Sequence, residues 1–131
     1  MAGWGTGSFE NEDASTWLAK LGMISPDDLT QILVRAADNP DYLEAPGASV
    51  AVAAAEVVAA MNGSPAAGVP AKIVEWTEKN QQPPAPELKH LAIRVLDRVR
   101  RNSELKDLWL EADGLNDWIA AIQELQTRLG R

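Results

Sequence analysis

One segment dominates what this chain can fold into. From Ala48 to Met61 it reads ASVAVAAAEVVAAM, apolar or small on nearly every side and interrupted by a single charge, Glu56. A helix that is apolar all round belongs in the middle of a structure, and its small side chains let neighbouring backbones approach closely. The longest strictly apolar run, Val50 to Ala55, is far shorter than the roughly 20 residues a bilayer demands, so membrane insertion is not expected. Glu56 is then the anomaly. A carboxylate among Val52, Ala53, Val57, Ala59 and Ala60 either faces a local opening or is buried, and a buried charge must find donors. The sequence offers the backbone N–H groups of residues 3–7, the Trp4 indole, or an arginine of the 94–101 segment. Structural pairing is the favoured reading, and a general acid or base tuned by burial is the functional alternative.

The rest of the chain supplies helices to surround this one, separated by proline and glycine punctuation. Asn11 or Asp13 is placed to cap a helix with Ala14, Trp17, Leu18 and Leu21 on one face, stopped by Gly22. Ser25-Pro26-Asp27-Asp28 combines an N-cap serine, a proline in the first turn and two acids facing the positive end of the helix dipole. Leu29, Ile32, Leu33 and Ala36 follow as its inner face. Asn39-Pro40 ends it, and residues 41–47 read as a loop with a turn around Tyr42. Beyond Asn62-Gly63, Pro70 opens a short helix through Ile73, Val74 and Trp76, and the proline-rich 81–86 stretch is a stiff connector. The next helix buries Leu88, Leu91, Ala92, Val95 and Val99. Ser103 opens another with Leu105, Leu108 and Trp109, and after Asp113-Gly114 the last presents Leu115, Trp118, Ile119, Ile122, Leu125 and Leu129. No alternating strand pattern occurs. The expectation is an all-α, single compact bundle of six or seven short helices over residues 1–131, with an ordered Gly-rich N-terminal arm and with Trp17, Trp109 and Trp118 largely inaccessible.

Charge and composition narrow the functional classes. The net charge of −7 opposes binding to nucleic acid, whose affinity comes largely from Lys and Arg neutralising phosphates. Residues 1–71 carry two basic and nine acidic side chains, a balance of −7, whereas 72–101 carry seven and four, a balance of +3. Such a bipolar chain pairs its halves internally or presents the acidic half to a basic partner. With no cysteine, disulfides and thiolate metal sites are impossible, and the first thirty residues lack a basic segment followed by an apolar run. A cytoplasmic location is expected.

No catalytic or cofactor motif assembles. The glycines at 3, 5 and 7 lack the preceding strand and the spacing of a dinucleotide loop, and no Gly-Lys-Ser/Thr follows them. Gly5 and Gly7 are better read as backbone freedom that lets Trp4 and Phe9 tuck inward as anchors. Glu10, Glu12 and Asp13 offer oxygen ligands to a hard cation, but they do not match the Asp-x-Asp-x-Asp-Gly loop of an EF-hand, and helix capping accounts for them. The lone histidine, His90, cannot build a zinc shell without cysteine. Helical spacing exposes it, and with Arg94 and Arg98 it forms a candidate anion-binding stripe, against the alternative of a solvated face. The serines read as turn or cap residues, and no nucleophile–base–orienter set is visible. No metal and no cofactor are expected.

The start, Ala2-Gly3-Trp4-Gly5-Thr6-Gly7-Ser8-Phe9-Glu10-Asn11-Glu12-Asp13-Ala14, resembles that of a family of small uncharacterised bacterial proteins classed as a domain of unknown function, which begin Gly/Ala-Trp-Gly-x-Gly-x-Phe-Glu/Asp-Asn-Asp-x-Ala. The Ala53–Ala60 segment around Glu56 and the Leu108-Trp109-Leu110-Glu111 ending are similar to the same family, as are Ser103-Glu104-Leu105, Trp118, Leu125 and Arg128-Leu129. Two departures stand out: Ala2-Gly3 reverses the usual Gly-Ala order, and Glu12 replaces Asp. The resemblance implies no activity.

Two functional classes follow. The favoured one is a small acidic cytosolic non-catalytic binding or regulatory protein with a basic protein partner, a description that an immunity-like or stress-accessory role fits. The alternative is a small hydrolase or metal-dependent enzyme centred on Glu56, with Glu10, Asp13 or His90 assisting.

Overall fold

The computed structural model describes residues 8, 9, 11–39 and 41–131. Its elements are α1 (Glu12–Ala19), a 3₁₀ turn (Leu21–Met23), α2 (Pro26–Asp38), α3 (Ala45–Met61), α4 (Ala71–Lys79), α5 (Pro86–Arg101), α6 (Glu104–Glu111) and α7 (Leu115–Leu129). This is an all-α bundle of seven α-helices, with no strand among the described residues. The alanine-rich segment explains the layout. α3 packs against each of the other six α-helices, and every residue from Ala51 to Ala59 is buried. Its small side chains keep those six neighbours close, and the larger core groups Leu29, Leu33, Ile73, Val95, Leu96, Val99, Leu125 and Leu129 close around it.

Local chemistry sets most helix ends. Asn11 caps α1 by accepting from the Ala14 N–H at 2.8 Å, and Ser25 and Asp28 form a reciprocal capping box at the start of α2. Leu21 falls in the 3₁₀ turn beyond α1 yet remains buried. At the end of α3, Gly63 takes φ 77° while Ser64 N–H bonds the Ala59 carbonyl and Gly63 N–H bonds the Ala60 carbonyl. These two bonds satisfy carbonyls that the helix end would otherwise strand.

Four expectations need correction. α3 begins at Ala45, so residues 45–47 are helical: Pro46 fits the first turn, and the N-terminus is capped from a distance by Glu104, whose Oε1 accepts from the Ala45 N–H at 2.8 Å. Val74 is exposed because α4 is short and turns only Ile73 and Trp76 inward. Leu88 and Leu91 are half-buried, since α5 buries Ala92, Val95, Leu96 and Val99 and leaves its first turns at the bundle's edge. Trp118 is buried, but Trp17 and Trp109 are only partly covered, each lying on a short peripheral helix. Trp76 joins Trp118 inside instead, with its indole N–H donating to the Ile24 carbonyl at 2.7 Å.

Candidate functional site around Glu56

Glu56 is 6% exposed in the middle of α3, and the charge it needs comes from α7. Arg128 Nη1 donates to Glu56 Oε1 at 2.8 Å, and Nη2 donates to Oε2 at 3.1 Å. This fork is the geometry that gives an arginine–carboxylate pair its strength and direction. Ser8 Oγ adds a third bond to Oε2 at 2.6 Å, so both carboxylate oxygens are occupied. Arg128 is as thoroughly used. Its Nε donates to Glu124 Oε2 at 2.6 Å, and Nη1 also reaches the Ser64 carbonyl at 3.3 Å. Burial alone pushes the Arg128 guanidinium pKa down, but the bonds to Glu56 and Glu124 outweigh it, and the net shift is upward. The guanidinium, charged at any ordinary pH, is thus held more firmly in its charged form.

The pair forms the floor of a cleft of about 590 Å³, walled by Phe9, Val69, Pro70, Ala120 and Ala121. Glu124, more than half exposed, stands at its mouth. The chemistry this arrangement supports is anchoring. With both oxygens of Glu56 accepting short bonds from fixed donors, the carboxylate ties α3, α7 and the segment entering α1 together. To take a proton from a substrate it would first have to give up part of the arginine fork.

Residues 3–121 match the model of the family described as domain of unknown function DUF4259. The chain belongs to this family. No curated protein and no solved structure matches the chain. Glu56 and Ser8 lie within the residues matched to DUF4259, and Arg128 lies beyond them.

The arginine that pairs with Glu56 thus comes from α7 and not from the 94–101 segment; residues 3–7, whose N–H groups and Trp4 indole are the other expected donors, lie outside the described residues. Reasoning from sequence missed Arg128 because a basic residue in a last helical turn reads as a partner for the helix dipole. A signal existed: Arg128 lies between Leu125 and Leu129, at a spacing that puts it at the edge of α7's inward stripe. Trp4, Gly5, Gly7 and Glu10 fall outside the described residues. Phe9 packs against the core and lines the cleft, Asn11 is the α1 cap, and Asp13 lies in the first turn of α1. Among the described residues, no group of three or more histidine or acidic side chains is placed to hold a metal ion.

Of the stripe of His90, Arg94 and Arg98, the last is engaged elsewhere. His90 and Arg94 are exposed, but Arg98 turns toward α2, where its Nη1 donates to the Ala36 carbonyl at 2.8 Å and its Nη2 to the Asp41 carbonyl at 2.5 Å. The guanidinium covers the negative end of α2, where carbonyls lack partners of their own. Neighbouring Asp97 is likewise engaged. Bonds from Arg100 and Gln126 hold its carboxyl below the usual carboxylate range.

Proposed function

We propose that this DUF4259 chain is a non-catalytic cytoplasmic binding or regulatory protein with a basic protein partner. One observation carries the reading: Glu56, the one buried carboxylate among the described residues, has both oxygens committed to Arg128 and Ser8, so acting as a base would cost it part of that pairing. The net charge of −7 favours a basic partner over nucleic acid. Cytoplasmic placement rests on the cysteine-free sequence. Among the described residues, no helix is long and apolar enough to cross a membrane.

The test is to recover the tagged chain and its Glu56→Gln variant from the source cell after mild cross-linking, and to assay both against ester, phosphoester and amide substrates. A stoichiometric basic protein retained by both forms supports the proposal. Turnover lost in Glu56→Gln, with melting unchanged, overturns it in favour of a hydrolase acting through the cleft.

A further inference from the structure

The outer face of α6 is acidic and carries one exposed large apolar side chain, Leu110. Leu110 is 56% exposed on this short helix, and Tyr42, 47% exposed on the loop before α3, reaches the same helix at Asp107, one turn before Leu110. The Tyr42 hydroxyl donates to Asp107, and Glu104 and Glu111 are close enough to act on its ionisation as well. Leu110 also lines a cleft of about 380 Å³ together with Asp113, Leu115, Asn116 and Asp117. Between residues 104 and 117 there are five carboxylates and one basic side chain, Lys106.

We propose that this face, centred on Leu110 and Tyr42, is the docking surface for a basic amphipathic helix of a partner protein. The proposal rests on the reading of the chain as a binder of a basic protein and deepens it by naming the surface. Charge complementarity selects the occupant. A helix with lysines or arginines flanking an apolar stripe would place that stripe on Leu110 and Tyr42, and its cations beside Asp107, Glu111, Asp113 and Asp117. Large apolar groups ringed by charge are the usual composition of such surfaces. The Asp107 bond holds the Tyr42 ring in place, so little side-chain order is lost on docking.

A synthetic amphipathic helix of leucine and lysine is the probe, with a peptide of the same composition but scrambled leucine spacing as control. Titrated into the full chain and followed by heteronuclear NMR, the amphipathic peptide should shift Tyr42, Asp107, Leu110 and Glu111 more than any other region. Affinity should fall about tenfold in Leu110→Ser, the loss expected for one buried leucine, with melting unchanged because Leu110 is exposed. Binding should weaken as salt rises. Shifts centred elsewhere overturn this surface and leave the basic-partner reading standing. Equal binding of the scrambled peptide, unaffected by Leu110→Ser, overturns the apolar seat, and no binding of either peptide counts against both. Self-association abolished by Leu110→Ser would make a second copy the occupant and overturn the proposal.

Discussion

Arg128 and Glu56, 72 residues apart in sequence, meet through two N–H···O bonds of 2.8 and 3.1 Å with both side chains buried. The pair joins the last turn of α7 to the middle of α3, and Asn62 reinforces the same junction by donating to the Arg128 and Arg131 carbonyls. A buried ion pair of this kind is weak evidence of net stabilisation, because taking both charges out of water costs nearly what their attraction returns. Its structural weight lies in the penalty for leaving either charge alone. That penalty fixes how α7 seats against α3.

The α6–α7 corner depends on a close approach. A Cβ built on Gly114 would lie 2.6 Å from the Trp109 ring, so Gly114→Ala forces that ring to move. Overpacking at such a site costs about 1–3 kcal/mol. Urea unfolding of the variant should show this loss, and Gly114→Ala combined with Trp109→Leu should recover part of it. Parent-like stability of the single variant would mean that the ring is not packed on the glycine.

One residue earlier, Asp113 holds φ 64°, a left-handed conformation, just after the end of α6. Glycine adopts it without steric cost, so Asp113→Gly should stabilise the fold by up to about 1 kcal/mol and raise its melting temperature. Gly63→Ala, at φ 77°, should act in the opposite direction by a similar amount. Thermal melts of the two variants should therefore fall on opposite sides of the parent.

Tyr42 is the only tyrosine, which makes its ionisation readable by absorbance without interference from a second phenol. Its bond to Asp107 and the surrounding acids push its pKa up to about 12. A folded-state value above the unfolded one means that the neutral phenol favours the fold. The contribution is complete below pH 10 and fades as the pH climbs through 12. Asp107→Ala should bring the titration midpoint down toward the ordinary tyrosine value of about 10. A midpoint near that value in the parent would show that the Tyr42–Asp107 bond does not persist in solution.

Much of the fold is legible because its determinants are local. The Ser25-Pro26-Asp27-Asp28 box, the Asn62-Gly63 stop and the composition of α3 each mark an element within a few residues. Glu56 stood out for the same reason, as one charge in an apolar helix. What stayed hidden was supplied across the bundle. α3 gains its cap from Glu104, α2 gains its C-terminal cover from Arg98, and Glu56 gains its counter-charge from Arg128. In sequence these look like ordinary first-turn acids and last-turn bases, because only the packing of distant helices distinguishes a local cap from a tertiary one.

The role of Glu56 as an anchor, and not as a catalytic base, is tested most directly by a double-mutant cycle on Glu56→Gln and Arg128→Met, read by urea unfolding. Arg128→Met should be the more severe single change, costing about 3–5 kcal/mol, because it strands a buried carboxylate. Glu56→Gln should destabilise noticeably but less, since the amide oxygen still accepts from the guanidinium. The double variant should lose less than the sum of the two, with a coupling of about 1–3 kcal/mol. Additive losses, or three variants that unfold like the parent, would contradict the anchor and return Glu56 to the list of catalytic candidates.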